Sequence, residues 1–173
     1  MTPRSRLEAI GTAYAPPMDG VPAQVFTGEW TGSPTGADIV VVEPDSGRQE
    51  IVGFDGIEST QCLCVDPYRP LIWMHDRKAL VEIDRRNFQS RVVHKFAAQY
   101  CMDVDRRGRV WSAQTRTLTC VDPTTGEATT YPDVTPDEFF YAPGTHMTLG
   151  VGPDGRIWTN QYPIACLAVF DPV

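Results

Sequence analysis

A repeat of roughly forty residues constrains the fold of this 173-residue chain more than any other feature of its sequence. Three segments align, and each contains a short strand that ends in Val, a polar turn, and a second strand that opens with Ile-Trp or Val-Trp. The aligned segments are 60–73, 99–111 and 146–158. Two of the turns contain Arg-Gly or Asp-Gly, which supply the positive φ that a tight hairpin needs. The pattern therefore predicts antiparallel β-structure built from similar units.

Each unit continues from a tryptophan into a third strand that ends in an acidic residue. Pro follows the acid in three of the four units, and a turn then leads into a fourth strand rich in β-formers. Units of four antiparallel strands are typical of propeller blades. We therefore predict an all-β fold, a β-propeller of about four blades in a single domain over residues 1–173. The tryptophans that mark the units are Trp30, Trp73, Trp111 and Trp158.

The N-terminal segment resembles the strand that the last repeat unit lacks. The chain stops just after the third strand of its last unit, and residues of about 5–14 resemble a fourth strand without a unit of its own. We therefore expect the N-terminal strand to close the last blade, which would leave no open sheet edge. Three assemblies satisfy this arrangement: a closed four-blade ring, half of an eight-blade ring formed by two chains, and a fragment of a larger propeller.

Charge and cysteine content narrow the class of protein. The net charge is −7, and no basic stripe is present that could follow a phosphate backbone, so we expect no nucleic-acid partner. No stretch approaches the roughly 18 apolar residues of a membrane span, and no signal peptide is recognisable. The five cysteines show no C-x-x-C spacing and lie in apolar runs, which indicates reduced core thiols in a cytoplasmic protein.

The last repeat resembles a known family. The segment 151–158 reads Val-Gly-Pro-Asp-Gly-Arg-Ile-Trp and leads to a strand that ends in Phe-Asp-Pro. It is similar to the blade motif of the virginiamycin B lyase family, and related repeats occur in gluconolactonase-like and NHL propellers. The resemblance implies a lyase- or lactonase-type activity, with a motif His as catalytic base and a motif Glu, three residues after Trp, as magnesium ligand. Here His146 lies one position before the family's His, and Gln161, Gln114 and Asp76 occupy the Glu position.

One mouth of the central channel is the predicted ligand site. The first strand of each blade starts there and the second strand ends there, and concave mouths with a few polar groups are common binding sites. His146 is the candidate catalytic base, because its unperturbed pKa lies near neutrality. The candidate substrate-binding residues are Gln99, Tyr100, Gln114, Asn160, Gln161, Tyr141 and His75.

A divalent cation, Mg²⁺ or Ca²⁺, is the candidate cofactor of this mouth. Asp76 and Asp103 are its candidate ligands, since both cations prefer carboxylate oxygens. Asp103 has a second interpretation as a structural hydrogen-bond acceptor, because a partly buried carboxylate needs a partner.

Two functional hypotheses follow from these patterns. The first is a propeller that binds a small molecule at the channel mouth and acts on it as a lyase or lactonase. The alternative is a non-catalytic interaction module that binds a protein partner or a second copy of itself, with a homodimer formed through propeller closure. A rise in melting temperature with added Mg²⁺ or Ca²⁺ would favour the enzyme.

Overall fold

The computed structural model describes most of the chain as β-strands and turns. The described residues are 9–29, 37–54, 57, 60, 62–76, 78–96, 101–114, 116–132, 134, 145–162 and 166–172. They form four antiparallel sheets and contain no helix. Accordingly, none of these residues belongs to a helix that is long and apolar enough to cross a membrane.

The strands of each sheet are hydrogen-bonded in the order of the chain. The first two sheets consist of β1 (Ala9–Ala15), β2 (Gln24–Glu29), β3 (Ala37–Glu43) and β4 (Arg48–Phe54), and of β5 (Cys62–Val65), β6 (Leu71–His75), β7 (Ala79–Asp84) and β8 (Ser90–Lys95). The last two consist of β9 (Cys101–Val104), β10 (Val110–Gln114), β11 (Thr117–Val121) and β12 (Ala128–Tyr131), and of β13 (Thr145–Val151), β14 (Ile157–Tyr162) and β15 (Cys166–Phe170).

Successive sheets pack face to face as the blades of a propeller. The inner strand of each blade lies beside the inner strand of the next, β1 beside β5, β5 beside β9, and β9 beside β13. Each junction between blades is filled by an apolar cluster that takes residues from both blades. The predicted all-β fold of antiparallel blades is therefore confirmed.

The N-terminal strand belongs to the first blade, and its predicted place in the last blade was wrong. β1 pairs with β2 along its length, with Tyr14 opposite Val25. A local turn closes this hairpin, in which Met18 and Val21 exchange two backbone hydrogen bonds. Pairing across a short turn costs less loop entropy than pairing with a strand at the far end of the chain.

The marker residue of the first blade is Phe26 rather than Trp30. Phe26 pairs with Val41, two residues before the acid Glu43. Trp111 pairs in the same way with Cys120, two residues before the acid of its own unit. Trp30 itself lies outside the described residues. The sequence alignment missed this position because an aromatic ring of another kind occupies it.

Candidate functional site

His75 is enclosed at the end of β6. It is fully buried, and its ring meets the ring of Phe96 edge-on at 4.8 Å. Burial lowers the pKa of His75 to about 4, and the nearby charge of Asp76 opposes this shift only in part. The imidazole is therefore neutral near pH 7, where a buried charge would be costly.

The stability of the protein should consequently depend on His75 in mildly acidic solution. An unfolded histidine has a pKa of about 6.5. Between that value and about 4 the unfolded chain binds a proton that the folded chain does not. Stability should fall as the pH drops through this window, by roughly 3 kcal/mol in total, and should be fully present above it.

Urea unfolding at several pH values measures this effect. His75→Gln should flatten the slope between pH 6.5 and about 4, since it removes the titrating group. Met74→Leu, a change at the buried neighbour, should shift the curve as a whole and keep its slope. An equal slope in wild type and His75→Gln would contradict the prediction.

The two candidate metal ligands make hydrogen bonds that stabilise the blades. Oδ1 of Asp76 accepts hydrogen bonds from the backbone N–H groups of Lys78 at 2.9 Å and Ala79 at 2.7 Å, which closes the turn between β6 and β7. Oδ2 of Asp103 accepts one from the N–H of Val151 at 2.7 Å and links the third blade to the fourth. No three His, Cys, Asp or Glu residues in the described ranges are placed to hold a metal ion.

The remaining candidates at the mouth are only partly described. Oδ1 of Asn160 accepts hydrogen bonds from the N–H and the hydroxyl of Thr148 at 3.0 and 2.9 Å, so this amide spans the β13–β14 hairpin. Gln114 ends β10 and is half-buried. The backbones of His146 and Gln161 lie opposite each other in the hairpin register, and their place at a ligand-binding mouth stays a prediction. Gln99, Tyr100 and Tyr141 lie outside the described residues.

Four cysteines are described with their side chains, and none of these is a reactive thiol. Cys62, Cys64, Cys101 and Cys120 are reduced thiols, and their side chains are buried or half-buried. Burial raises the pKa of Cys62 and of Cys101 to about 12, so both remain protonated at neutral pH.

A buried network that the sequence analysis missed explains two of the repeated tryptophans, Trp73 and Trp111. Asp66 is fully buried and accepts hydrogen bonds from Nε of Arg69 at 2.8 Å and Nε1 of Trp73 at 3.1 Å. Arg69 also donates to the carbonyl oxygen of Gly108 at 2.8 Å, which ties the second blade to the third. The carboxylate therefore fixes both the turn before β6 and the indole under the next blade.

The third blade repeats this network. Asp105 accepts hydrogen bonds from Nε of Arg109 at 2.8 Å and from Nε1 of Trp111 at 3.0 Å. In the fourth blade Gly152 occupies the position of the aspartate. An alignment of the residue after the strand-ending Val could have revealed the two aspartates.

Two clefts of the described structure lie on the rim opposite the predicted mouth. One cleft of about 590 Å³ is formed by the turns of the first blade and the β7–β8 turn of the second. Another of about 420 Å³ lies between the third and fourth blades. Both are formed by turns that connect the first strand to the second or the third strand to the fourth.

Comparisons with known proteins identify the fold. No family model and no curated protein matches the chain. The structures of U3-55K and of the RRP9 WD40 repeats each match with a TM-score of 0.61 at 13% identity, and each covers 96% of this chain. The extracellular domain of BT4673 from B. thetaiotaomicron matches with a TM-score of 0.62 at 12% identity over 85% of this chain. The fold is a β-propeller.

The propeller matches differ from this chain in length. This chain spans 52% of the length of the U3-55K and RRP9 chains and 20% of the length of the BT4673 chain. At this level of identity the likeness concerns architecture alone. Membership of the virginiamycin B lyase family, a lyase or lactonase activity, the divalent cation and a cytoplasmic location therefore stay predictions.

Proposed function

We propose that this propeller is an interaction module whose arc of blades is completed by a second copy of the chain. The carrying observation is a pair of uncovered apolar surfaces, one on the last blade and one on the first. We call them the forward end face (Trp158, Leu167 and Val169) and the rear end face (Tyr14, Val25 and Val42).

The forward end face has the composition of a buried junction but is exposed. Trp158 is 39% exposed, whereas its counterparts Trp73 and Trp111 are fully buried beneath the next blade. Leu167 is 65% exposed and matches Leu118, which has no exposed surface. The equivalent positions of the second and third blades are buried because another blade follows. The exposure of Trp158 and Leu167 therefore supports a further blade that covers them in the assembled protein.

The rear end face shows the same departure on the first blade. Val25 directly precedes the marker residue of its blade and is half-buried, whereas Ile72 and Ile157 at the same position are fully buried. Tyr14, opposite Val25 on the inner strand, is 60% exposed. A preceding blade would cover both residues.

The two end faces are complementary, because they correspond to the two surfaces that meet between successive blades. Inside the chain, the forward face of each blade packs on the rear face of the next, as Trp73 does against Val104 and Val110. The same contact between two copies would join the last blade of one to the first blade of the other. Two such contacts related by a twofold axis would close a ring of eight blades.

Light scattering tests this assembly. The wild-type chain should have about twice its single-chain mass of 19.2 kDa. Trp158→Glu places a charge in the centre of the contact and should weaken association at least about thirtyfold, the effect of losing a hot-spot residue. The matched control is Tyr68→Glu, a change to a somewhat more accessible aromatic residue in the β5–β6 turn, which should keep the double mass. A wild-type chain that stays single at high concentration would contradict the proposal.

The enzyme hypothesis has weaker support among the described residues. His75 is buried and neutral, and Asp76 and Asp103 are hydrogen-bonded within the blades. None of these groups is arranged as an acid–base pair around open space, so the geometry favours the interaction module.

A further inference from the structure

The turn between β7 and β8 departs from its counterparts in the first and third blades. The turns 43–47 and 122–126 read acid-Pro-x-x-Gly, and the N–H of each Gly donates to the carbonyl oxygen of the acid at 2.8 Å. The turn 84–88 makes the same hydrogen bond at 2.8 Å. It has Arg85 in the place of Pro and Phe88 in the place of Gly. In a repeat protein, two such changes in one turn need a local explanation.

Phe88 holds a backbone conformation that suits glycine. Its φ is 57°, close to the 69° of Gly47 and the 76° of Gly126 at the same position. A bulky residue is rare in this region, and such strain is concentrated at functional sites. Asp19 is the one other non-glycine residue with positive φ in the described chain, and it lines the same cleft as Phe88.

Arg85 carries a buried positive charge that has no carboxylate partner among the described residues. The side chain is 1% exposed, and Nε donates to the amide oxygen of Gln24 at 3.0 Å. Nη2 donates to the carbonyl oxygens of Pro16 at 3.0 Å and Pro22 at 3.1 Å. All of these acceptors are neutral, and within the described ranges Nη1 has no hydrogen-bond partner. A buried charge normally requires an ion pair.

Arg85 is one of the residues that line the cleft of about 590 Å³ between the first two blades. The other arginines of this cleft are already paired: Arg48 lies 2.9 Å from Glu50, and Arg86 lies 3.2 Å from Asp84. Among the described lining residues, Arg85 is therefore the cation that lacks an ion pair. The volume of the cleft falls within the usual range of ligand sites.

We propose that this cleft binds a ligand carboxylate, with an oxygen of the carboxylate accepting a hydrogen bond from Nη1 of Arg85. Phe88 supplies an apolar wall beside it. A monoanion fits better than a phosphate dianion, because Asp19, Glu43 and Glu50 also line the cleft and would repel a second negative charge. Since Nη1 is buried, the ligand must displace the 85–88 turn slightly. The strained backbone of Phe88 lowers the cost of that movement.

Titration with sodium benzoate, followed by NMR and calorimetry, tests the site. Benzoate should bind the wild-type chain and shift the guanidinium signal of Arg85 more than that of Arg86, whereas its neutral analogue benzamide should not. Arg85→Gln should weaken benzoate binding at least about tenfold, since a charge-assisted hydrogen bond is lost. Arg156→Gln removes the same charge from an exposed arginine of the fourth blade, outside the cleft, and should retain binding within about threefold.

A second Arg85 variant and two further ligands complete the test. If Arg85→Gln does not fold, Arg85→Lys keeps the charge without the planar donor group and should still weaken binding. The ligand carboxylate can belong to a small organic acid or to the C-terminus of a peptide. N-acetylphenylalanine represents the first, and an N-acetylated tripeptide ending in phenylalanine with a free carboxylate represents the second. Tighter binding of either supports the site. Absence of benzoate binding to the wild type, or equal binding by wild type and both Arg85 variants, would overturn the proposal.

Discussion

Replacement of Asp105 with alanine should lower the free energy of unfolding by about 3–5 kcal/mol, the cost of breaking a buried ion pair by removing one partner. The carboxylate accepts hydrogen bonds from the guanidinium of Arg109, the indole of Trp111 and the backbone N–H groups of Arg107 and Arg109. Alanine leaves the fully buried indole N–H and the partly exposed guanidinium without their shared acceptor, and the unmet indole donor is costly.

Chemical denaturation with a matched variant measures this loss. Asp154→Ala removes the carboxylate of the corresponding turn in the fourth blade, where the side chain is exposed, and should cost less than about 0.5 kcal/mol. Similar losses in the two variants would contradict a special role for Asp105.

The contribution of Asp105 should also depend on pH. Burial by itself raises the pKa of this carboxyl, but the hydrogen bonds from Trp111 and Arg109 outweigh burial and hold the pKa below its usual range. The stabilisation is therefore present above the unfolded pKa of about 3.9 and is lost as the pH falls below it. The difference in stability between wild type and Asp105→Ala should shrink in strong acid.

Trp73→Ala should destabilise the protein by about 3–5 kcal/mol, the usual cost of removing a large buried aromatic side chain. The indole is fully buried and packs with Leu80 against Met102 and Val104 of the third blade. It also donates its N–H to Asp66, which alanine would leave with one donor fewer. The substitution thus opens a cavity at a junction between blades.

Thermal unfolding of three variants separates packing from hydrogen bonding. Trp73→Ala should lower the melting temperature by roughly 6–20 °C, at about 2–4 °C for each kcal/mol in a chain of this size. Trp73→Phe keeps much of the packing and should lose less. Tyr68→Ala, at an exposed aromatic residue, should change stability by less than about 0.5 kcal/mol. A loss at Trp73 no larger than at Tyr68 would show that the junction does not hold the blades together.

The second, third and fourth blades could be predicted from the sequence because their signals are local. In each of them a strand, a short turn and a second strand that contains Ile-Trp or Val-Trp follow one another within about 14 residues. The first blade was predicted poorly for the same reason. Its marker is Phe26, and its β2–β3 connection is longer than those of the other blades, so neither spacing nor residue type matched.

The candidate site was harder to predict than the fold. His75 and Asp76 were chosen as polar residues at a channel mouth, but the structure buries the first and uses the second to close a turn. Hydrogen-bonding residues of a blade and residues of a binding site have the same amino-acid types, so composition does not separate them. Comparison between repeats is the better signal, and it distinguishes Arg85 and Phe88 from the Pro and Gly of the equivalent turns.

The sequence by itself determined the repeat, the strands and the turn chemistry, because these depend on interactions between residues that are close along the chain. Tertiary structure alone decided which blade contains β1, which apolar surfaces stay uncovered, and that Arg85 is enclosed among neutral acceptors. Gln24 and Arg85 are 61 residues apart, yet they share a hydrogen bond across the first junction. Burial and charge pairing of this kind arise only when blades meet, so no pattern within one repeat encodes them.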